Sequence, residues 1–560
     1  MDWFGVPDDH TPPATPPPSK QPRTNHRVPR TYLDLHESER KQLEYIAQVK
    51  ALFQQLSSKQ KHYLFHELVD CCDNDVLAYV QDLIAPRLKI DFLKDLPIEL
   101  SLHVLSFIHD PRDLANAARV SLFWNSLLKD EVTWKSLCQR HRYRRRSSSL
   151  QWYLQKTNSN NNDSNDSVHN TENNNSSKSN CKVSYRDYFW LKYNTDRAWT
   201  EGTGQLVDCA NTIGVALVTC LQVDDVYTVV GCDNHLMEVY DSQTGRHIRT
   251  LREHEGGVWV LQFQKQQDGS RILVSGGCDR SVCVWRLDTG ELLHSMEGHT
   301  STVRSLKVCD QGRTAVTGSR DATLRIWDLE RGAIRHVCVG HQESVRCIAV
   351  HDRAVATGSY DHTARLWDLD TGQSKALLTG HRAQIYAIVF DGHRICTGSL
   401  DWTIRVWTPQ GHCTAVLRGH QSLVGHLQLV PPVDNLSPPL LVSGGSDGCI
   451  RVWDLCSFEC IRQIAAHDNS VSCLHANHKR ILSGSTDGHV FLWSIETGDK
   501  IREFTQPGRT VWKLQFTDSR AVVVVQRRRH RFADTAIELH VFDDPQSPLY
   551  WPCQKKTSAA

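Results

Sequence analysis

Residues 298–332 read GHTSTVRSLKVCDQGRTAVTGSRDATLRIWDLERG, and residues 340–372 read GHQESVRCIAVHDRAVATGSYDHTARLWDLDTG. The pattern is written twice: Gly-His, a short apolar-rich run, Gly-Ser, a turn Asp, and a second run ending in Trp-Asp. Short runs rich in β-branched residues between Gly and Asp turns specify antiparallel strands rather than helices. The Trp recurs at Trp285, Trp327, Trp367, Trp407, Trp453 and Trp493, at intervals of 42, 40, 40, 46 and 40 residues. A period near 40 with several strands per unit is that of a β-propeller, with one four-stranded blade per repeat. Two degenerate units flank the six. Upstream, GCDNHLMEVYDSQTG puts Tyr240 at the Trp position and Asn234 at the turn-Asp position; downstream, AIELHVFDD puts Phe542 at the Trp position. Counting both gives an all-β eight-bladed propeller over residues 201–545; a seven-bladed ring would leave one unit unused.

The chain before the propeller is helical. Residues 1–34 form a Pro/Thr-rich tail too poor in apolar residues to build a core. Residues 35–90 carry three amphipathic patterns. Leu43, Ile46, Val49, Phe53 and Leu56 lie on the first. Ser57 and Gln60 form a capping box that opens the second, with Leu64, Phe65 and Leu68 on its apolar face. Val76, Leu77, Val80, Leu83 and Ile84 lie on the third, and Pro86 is expected to stop it. Residues 91–140 form another all-α block. Pro97 suits a first helical turn, Asp110 and Pro111 break the helix, and Trp124 and Trp134 follow. Residues 141–200 read as a helical linker interrupted by a disordered insertion, with 10 Asn and 6 Ser between 157 and 180. Residues 546–560 are a tail. The basic run RHRYRRR at 140–146 reads either as a nuclear signal or as a solvated helix end.

Composition narrows the function. The 560 residues carry a net charge of +1, so no global field draws the chain to nucleic acid or to a membrane. No stretch approaches 18 apolar residues, and the N-terminus has no apolar signal region. The 19 cysteines lack C-x-x-C spacing, so neither a metal site nor a disulfide framework is expected, and the chain reads as intracellular. No P-loop, nucleophile elbow or metal-ligand spacing is present, so no catalytic residue and no cofactor are expected. The pairs His299 and Asp321, His341 and Asp361, and His381 and Asp401 recur in blade after blade. They are therefore expected to be scaffold: a buried His bonded to a turn Asp and to the blade's Trp. Arg325, Arg365, Arg405 and Arg451, two places before each Trp, read as a solvated strand face or an inter-blade contact.

In a repeat protein, function shows where equivalent positions differ. Five residues after each His the ring reads Thr219, Trp259, Arg304, Arg346, Tyr386, Gly425, Ser472 and Trp512. Just before each turn Asp, blades two to seven read Cys278, Arg320, Tyr360, Leu400, Ser446 and Thr486. Arg528 follows Trp512 at the spacing that separates Arg320 from Arg304. One half of the face is therefore cationic and aromatic, and the other is small and polar. Arg304, Arg320 and Arg346 have no evident acidic partner, and rigid guanidinium forks suit phosphate oxygens. Trp259, Tyr360 and Tyr386 border them and suit the apolar or proline-containing part of an extended peptide. Nucleic-acid binding would need a broader basic surface.

LPIELSLHVLSFIHDPRDLANAARVSLFWNSLLKDEVTWKSLC (96–138) resembles the F-box, which binds the Skp adaptor of SCF ubiquitin ligases. GHTSTVRS, GSRDATLRIW, SVRC and GHQSL resemble the WD repeats of the archipelago-type, cell-division-control substrate receptors, over roughly residues 35–545. The resemblance implies a non-catalytic receptor that reads phosphorylated Thr/Ser-Pro degrons and partners Skp and cullin. It implies that Arg304, Arg320 and Arg346 hold the first phosphate, with Ser301 and Thr302 beside them. Tyr360, Trp259 and Tyr386 would line the adjoining peptide, with Arg528 and Trp512 on the rim. Cys278 departs from the family, which has Thr there, and Asn234 and Tyr240 depart in the packing of blade one. Leu96, Pro97, Leu100, Val104, Leu105, Ile108, Leu114, Val120, Trp124 and Trp134 match F-box positions, divided between adaptor face and core. The helices before the F-box resemble the family's dimerisation domain, which implies a homodimer; the alternative is a stabilising stalk. The expected location is the nucleus, with the cytoplasm also open. Thr11 and Thr15 resemble a degron, which raises self-recognition. A scaffold without a ligase role is the alternative function.

Overall fold

A computed structural model describes residues 37–88, 91–108, 110–143, 184–209, 213–432, 437–529 and 532–543. The Asn-rich segment, the basic residues 144–146, Thr11 and Thr15 lie outside them. The chain divides into two compact units between Ser101 and Leu102.

The first unit is helical: α1 (Glu37–Gln55), α2 (Ser58–Asp70), α3 (Asn74–Leu88), the short α4 (Phe92–Asp95) and the start of α5 (Ile98–Ser106). The capping box forms, with the Gln60 side-chain oxygen accepting the Ser57 N–H at 3.0 Å. Phe53 meets Phe65 edge-on at 5.6 Å. The amphipathic stripes are otherwise open: Ile46, Val49, Leu52, Tyr63, Leu68, Tyr79 and Leu83 are all exposed. Pro86 does not stop α3, which runs two residues further to Leu88. In a last turn, a proline removes one hydrogen bond that helix fraying would weaken anyway.

The second unit holds the rest of α5, then α6 (Pro111–Ala117), α7 (Leu122–Leu127), α8 (Glu131–Arg140) and α9 (Tyr185–Glu201). Asp110 caps α6, accepting the Arg112 N–H at 2.8 Å, with Pro111 at the first helical position. Trp134 of α8 donates its indole N–H to the Leu128 carbonyl at 2.7 Å and packs on Phe189 of α9 at 5.6 Å. α9 is fixed to the propeller. Trp199, fully buried, stacks on Phe542 at 4.1 Å and donates to the Asp518 carbonyl at 3.0 Å. Asp196 pairs with Arg480 and Lys479. Burial pushes the Asp196 carboxyl up, but the two cations outweigh it and hold it below the usual range.

Eight four-stranded antiparallel sheets follow. Seven are continuous in sequence: blade one (218–251), two (258–296), three (303–338), four (345–378), five (385–417), six (424–465) and seven (471–503). Blade eight takes three strands from 510–541 and its outermost strand from Gln205–Asp208, paired Gln205 to Val541 and Asp208 to Glu538. The chain thus closes its ring by lending its first strand to its last blade. Each blade's first strand lies against the first strands of its neighbours, with blade one meeting blade eight. Apolar clusters lie between successive blades, so each blade buries one face against each neighbour.

The repeated polar residues form a relay in blades two to seven, and its order differs from the expectation. His341 does not bond Trp367 directly. Its Nε2 meets the Thr357 hydroxyl at 2.9 Å, and the Trp367 indole N–H donates to that same oxygen at 2.9 Å. Its Nδ1 meets Asp361 at 2.7 Å. A hydroxyl on the second strand suits this place because it can accept from Trp and either accept from or donate to the imidazole. Ser275, Thr317, Thr397, Ser443 and Ser483 fill this place in the other blades. Arg325, Arg365 and Arg405 are half-buried and Arg451 is buried, and their contacts lie within their own blades. Each roofs its own blade over the Gly of Gly-His, and Arg365, Arg405 and Arg451 also lie about 6 Å above their own Trp rings.

Candidate functional site

All eight ring positions sit at the same structural fault. In blades one to seven the first strand begins with a buried aliphatic residue, and in blade eight the buried Val511 follows Thr510; the register to the second strand then slips by one. The slips fall between Val218 and Cys220, Val258 and Val260, Val303 and Ser305, Val345 and Cys347, Ile385 and Ala387, Val424 and His426, Val471 and Cys473, and Val511 and Lys513. The skipped residues are Thr219, Trp259, Arg304, Arg346, Tyr386, Gly425, Ser472 and Trp512. A bulged residue is unpaired and its side chain is re-aimed, which frees these eight from the packing that fixes their neighbours. The second set lies alongside. The N–H groups of Arg320, Tyr360 and Leu400 donate to the carbonyls of Thr302, Ser344 and Gln384, which immediately precede the first strands, at 2.9, 3.0 and 2.9 Å.

The two sets together make an asymmetric face. Arg304 and Arg346 are half-buried and Arg320 is exposed. None of the three guanidinia has a carboxylate partner among the described residues. Two of them lie against rings. Arg304 lies 4.3 Å from the Trp259 ring centre and Arg346 5.9 Å from that of Tyr386. Tyr386 in turn meets Tyr360 at 5.3 Å. Burial and Tyr360 push the Tyr386 hydroxyl up, and Arg346 opposes them. Cation–π contact orients a guanidinium while leaving its N–H fork open. Ser301 and Thr302 use their carbonyls, accepting from the Ser319 hydroxyl and the Arg320 N–H at 2.9 Å each. Cys278 takes up the Trp259 indole N–H on its sulfur at 2.7 Å. Trp512 is half-buried at the seam between blades eight and one, its indole N–H buried without a partner among the described residues. The backbone of Arg528 pairs with Ala533; its side chain lies outside the described residues. On the opposite half, the Ser472 hydroxyl is committed to the Val511 carbonyl at 2.7 Å, and Gly425 faces open space.

The F-box positions fall into two groups. Leu105, Leu114 and Trp134 are at most 3% exposed and form core. Leu100, Val104 and Val120 are exposed, as is Pro97, while Leu96, Ile108 and Trp124 are half-buried. Sequence reasoning did not single out Ile98, Phe107, Leu122 and Val132, which are also exposed, Leu122 at 89%. Apolar residues at non-core positions of short capped helices were the available signal.

Two family models match the chain. The F-box-like model matches residues 93–140. The WD domain, G-beta repeat model matches 245–286, 290–328, 332–368, 372–408, 411–454 and 458–494. Each matched repeat from 290 onward starts on or near the outer strand of one blade and ends on the third strand of the next, the offset that leaves the first strand free to close the ring. Cell division control protein 4 of Saccharomyces cerevisiae is 29% identical over 254 residues, 44% of this chain and 29% of that protein. The probable E3 ubiquitin ligase complex SCF subunit sconB of Arthroderma otae is 27% identical over 209 residues, 37% and 31% of the two chains. The chain thus spans about a third of the length of these relatives. The crystal structure of the computationally designed Ika8 protein is 29% identical with a TM-score of 0.53, covering 60% of this chain and 99% of that one. An F-box-like segment and WD repeats in a closed eight-bladed ring together make the chain an F-box/WD-repeat protein, similar to cell division control protein 4.

Proposed function

We propose that this protein is the substrate-recognition subunit of an SCF-type ubiquitin ligase. The propeller face binds phosphorylated Thr/Ser-Pro segments, and the F-box binds a Skp adaptor and, through it, a cullin. One observation carries the reading: three guanidinia, two of them laid on aromatic rings at bulges and the third exposed beside them, stand in one sector of the ring without a carboxylate among the described residues. Like charges brought together cost stability unless an anion joins them, and a dianionic phosphate accepts bidentate bonds from such forks. The tyrosines and Trp259 would hold the flanking peptide.

The chain itself would break and make no bond. It would raise the local concentration of a substrate lysine near a ubiquitin-charged enzyme, and the rate would come from that proximity. The open apolar faces of α1–α3 favour a second copy of the chain, which would double the receptors available to one substrate. The test is reconstitution with adaptor, cullin and ubiquitin-conjugating enzyme. Ubiquitination should require phosphorylation of the substrate and an intact F-box. Adaptor-independent binding of the substrate, with no ubiquitin transfer, would favour a scaffold.

A further inference from the structure

Each of blades one to seven has a third position on this face, further from the axis: the residue just after the turn Asp or its equivalent. Its backbone is left-handed throughout: His235 (φ 66°), Arg280 (69°), Ala322 (64°), His362 (68°), Trp402 (69°), Gly448 (74°) and Gly488 (87°). Reading outward, blade three is Arg304, Arg320, Ala322, and blade four is Arg346, Tyr360, His362. Blade five is Tyr386, Leu400, Trp402, an apolar strip beside the two that carry the arginines.

Trp402 is the anomaly. A left-handed backbone disfavours a bulky side chain and suits the glycines of blades six and seven. The indole is 54% exposed, beside a Leu400 that is 39% exposed. Among the described residues it makes no ring contact and no side-chain hydrogen bond. Neither local conformation nor packing accounts for a tryptophan here, and a large rigid apolar surface on a recognition face is an anchor.

We infer that Trp402 is a specificity-determining residue: it holds an apolar side chain of the substrate outside the central ring, on the flank that leaves the arginines toward blade five. This rests on the phosphopeptide reading above. The turn between second and third strands lies about 7–10 Å outward of the ring at a strand spacing near 4.8 Å, a span of about two to three residues of extended peptide.

The test uses the full chain and phosphothreonine-proline peptides in which one Phe is moved through about four positions on each side of the phosphate in a Ser/Gly background. On the wild type, one placement should bind about three- to ten-fold tighter than the Phe-free phosphopeptide. In Trp402→Gly, which suits the left-handed turn, and in Trp402→Ala, the residue blade three already carries there at Ala322, the fold should hold and that gain should vanish while the Phe-free phosphopeptide binds as before. A phosphate preference with no Phe gain at any placement, or a gain that survives both variants, overturns the assignment of Trp402 alone. No phosphate preference in the wild type overturns the arginine reading and this inference with it.

Discussion

Thr357→Val should be among the most damaging isosteric changes in the propeller. Thr357 is fully buried, and its hydroxyl is the shared partner of the His341 Nε2 and the Trp367 indole N–H, each at 2.9 Å. Valine keeps the volume and removes the oxygen. Two buried polar groups then lose their partner in a site closed to water. Each orphaned group costs about 1–3 kcal/mol, so the pair should cost about 2–4 kcal/mol once partial relaxation is allowed. Thr357→Ser keeps the oxygen and removes one methyl, at about 1 kcal/mol. Ser275, Ser443 and Ser483 already do this work in blades two, six and seven. Equilibrium urea unfolding of both variants, compared at constant slope, reads the difference as a shift in midpoint. A Thr357→Val midpoint at or above that of Thr357→Ser would refute the relay.

The F-box core and its exposed residues should separate cleanly. Leu114→Ala should destabilise by about 2–5 kcal/mol, whereas Leu122→Asp should leave melting unchanged and abolish co-purification with a Skp adaptor. Asp196→Ala leaves Arg480 and Lys479 facing each other without their carboxylate; since Asp196 is partly exposed, a loss of about 1–2 kcal/mol is expected, read as faster proteolysis at the junction of α9 with the propeller. Stability should also fall on acidification. Burial pushes His426, His475 and His540 down to about 4. The unfolded chain takes up protons near pH 6.5 and the folded one only near 4, so stability is lost as pH falls across that window. His254 acts oppositely. Burial opposes its charge, but the bond to Asp279 outweighs this and raises it to about 9, so its contribution is full below pH 6.5 and lost as pH rises toward 9. Melting temperature measured from pH 9 to 4 should therefore peak near neutrality; a rise on going from pH 6.5 to 4 would contradict the histidine placement.

The blades were legible because each carries its own punctuation: Gly-His at the start, Asp at the turn and Trp at the third strand, so even Tyr240 could be aligned by spacing. Phe542 lies two residues past the Trp position: His540 pairs with Ala521 as Trp493 pairs with Ile481, and Phe542 takes the place of Ile495. What joins them was not. The outer strand of blade eight is four residues, Gln205–Asp208, paired with residues more than 300 positions away, and no local pattern marks it. The ring residues could be found by arithmetic on the repeat, but the bulge that frees them could not, because a one-residue slip leaves the alternation of flanking valines almost unchanged. Arg325 and its equivalents were misread for a related reason. A long side chain laid over a glycine and a tryptophan looks, in sequence, like any strand-face cation. The F-box could be recognised but not sorted, since short helices bury Leu105 or expose Leu122 according to what packs on them. Trp402 went unnoticed because a residue after a turn Asp reads as generic turn.

The central claim is that the ring arginines read phosphate. Fluorescence anisotropy with one Thr-Pro-Pro-x-Ser peptide, unphosphorylated and phosphorylated, on the wild type and on Arg346→Ala, tests it most directly. A strong preference for the phosphorylated peptide is expected, with Arg346→Ala weakening it by at least about 1–2 kcal/mol, roughly five- to thirty-fold in Kd. Equal binding of the two peptides, or an Arg346→Ala affinity indistinguishable from wild type, would contradict it.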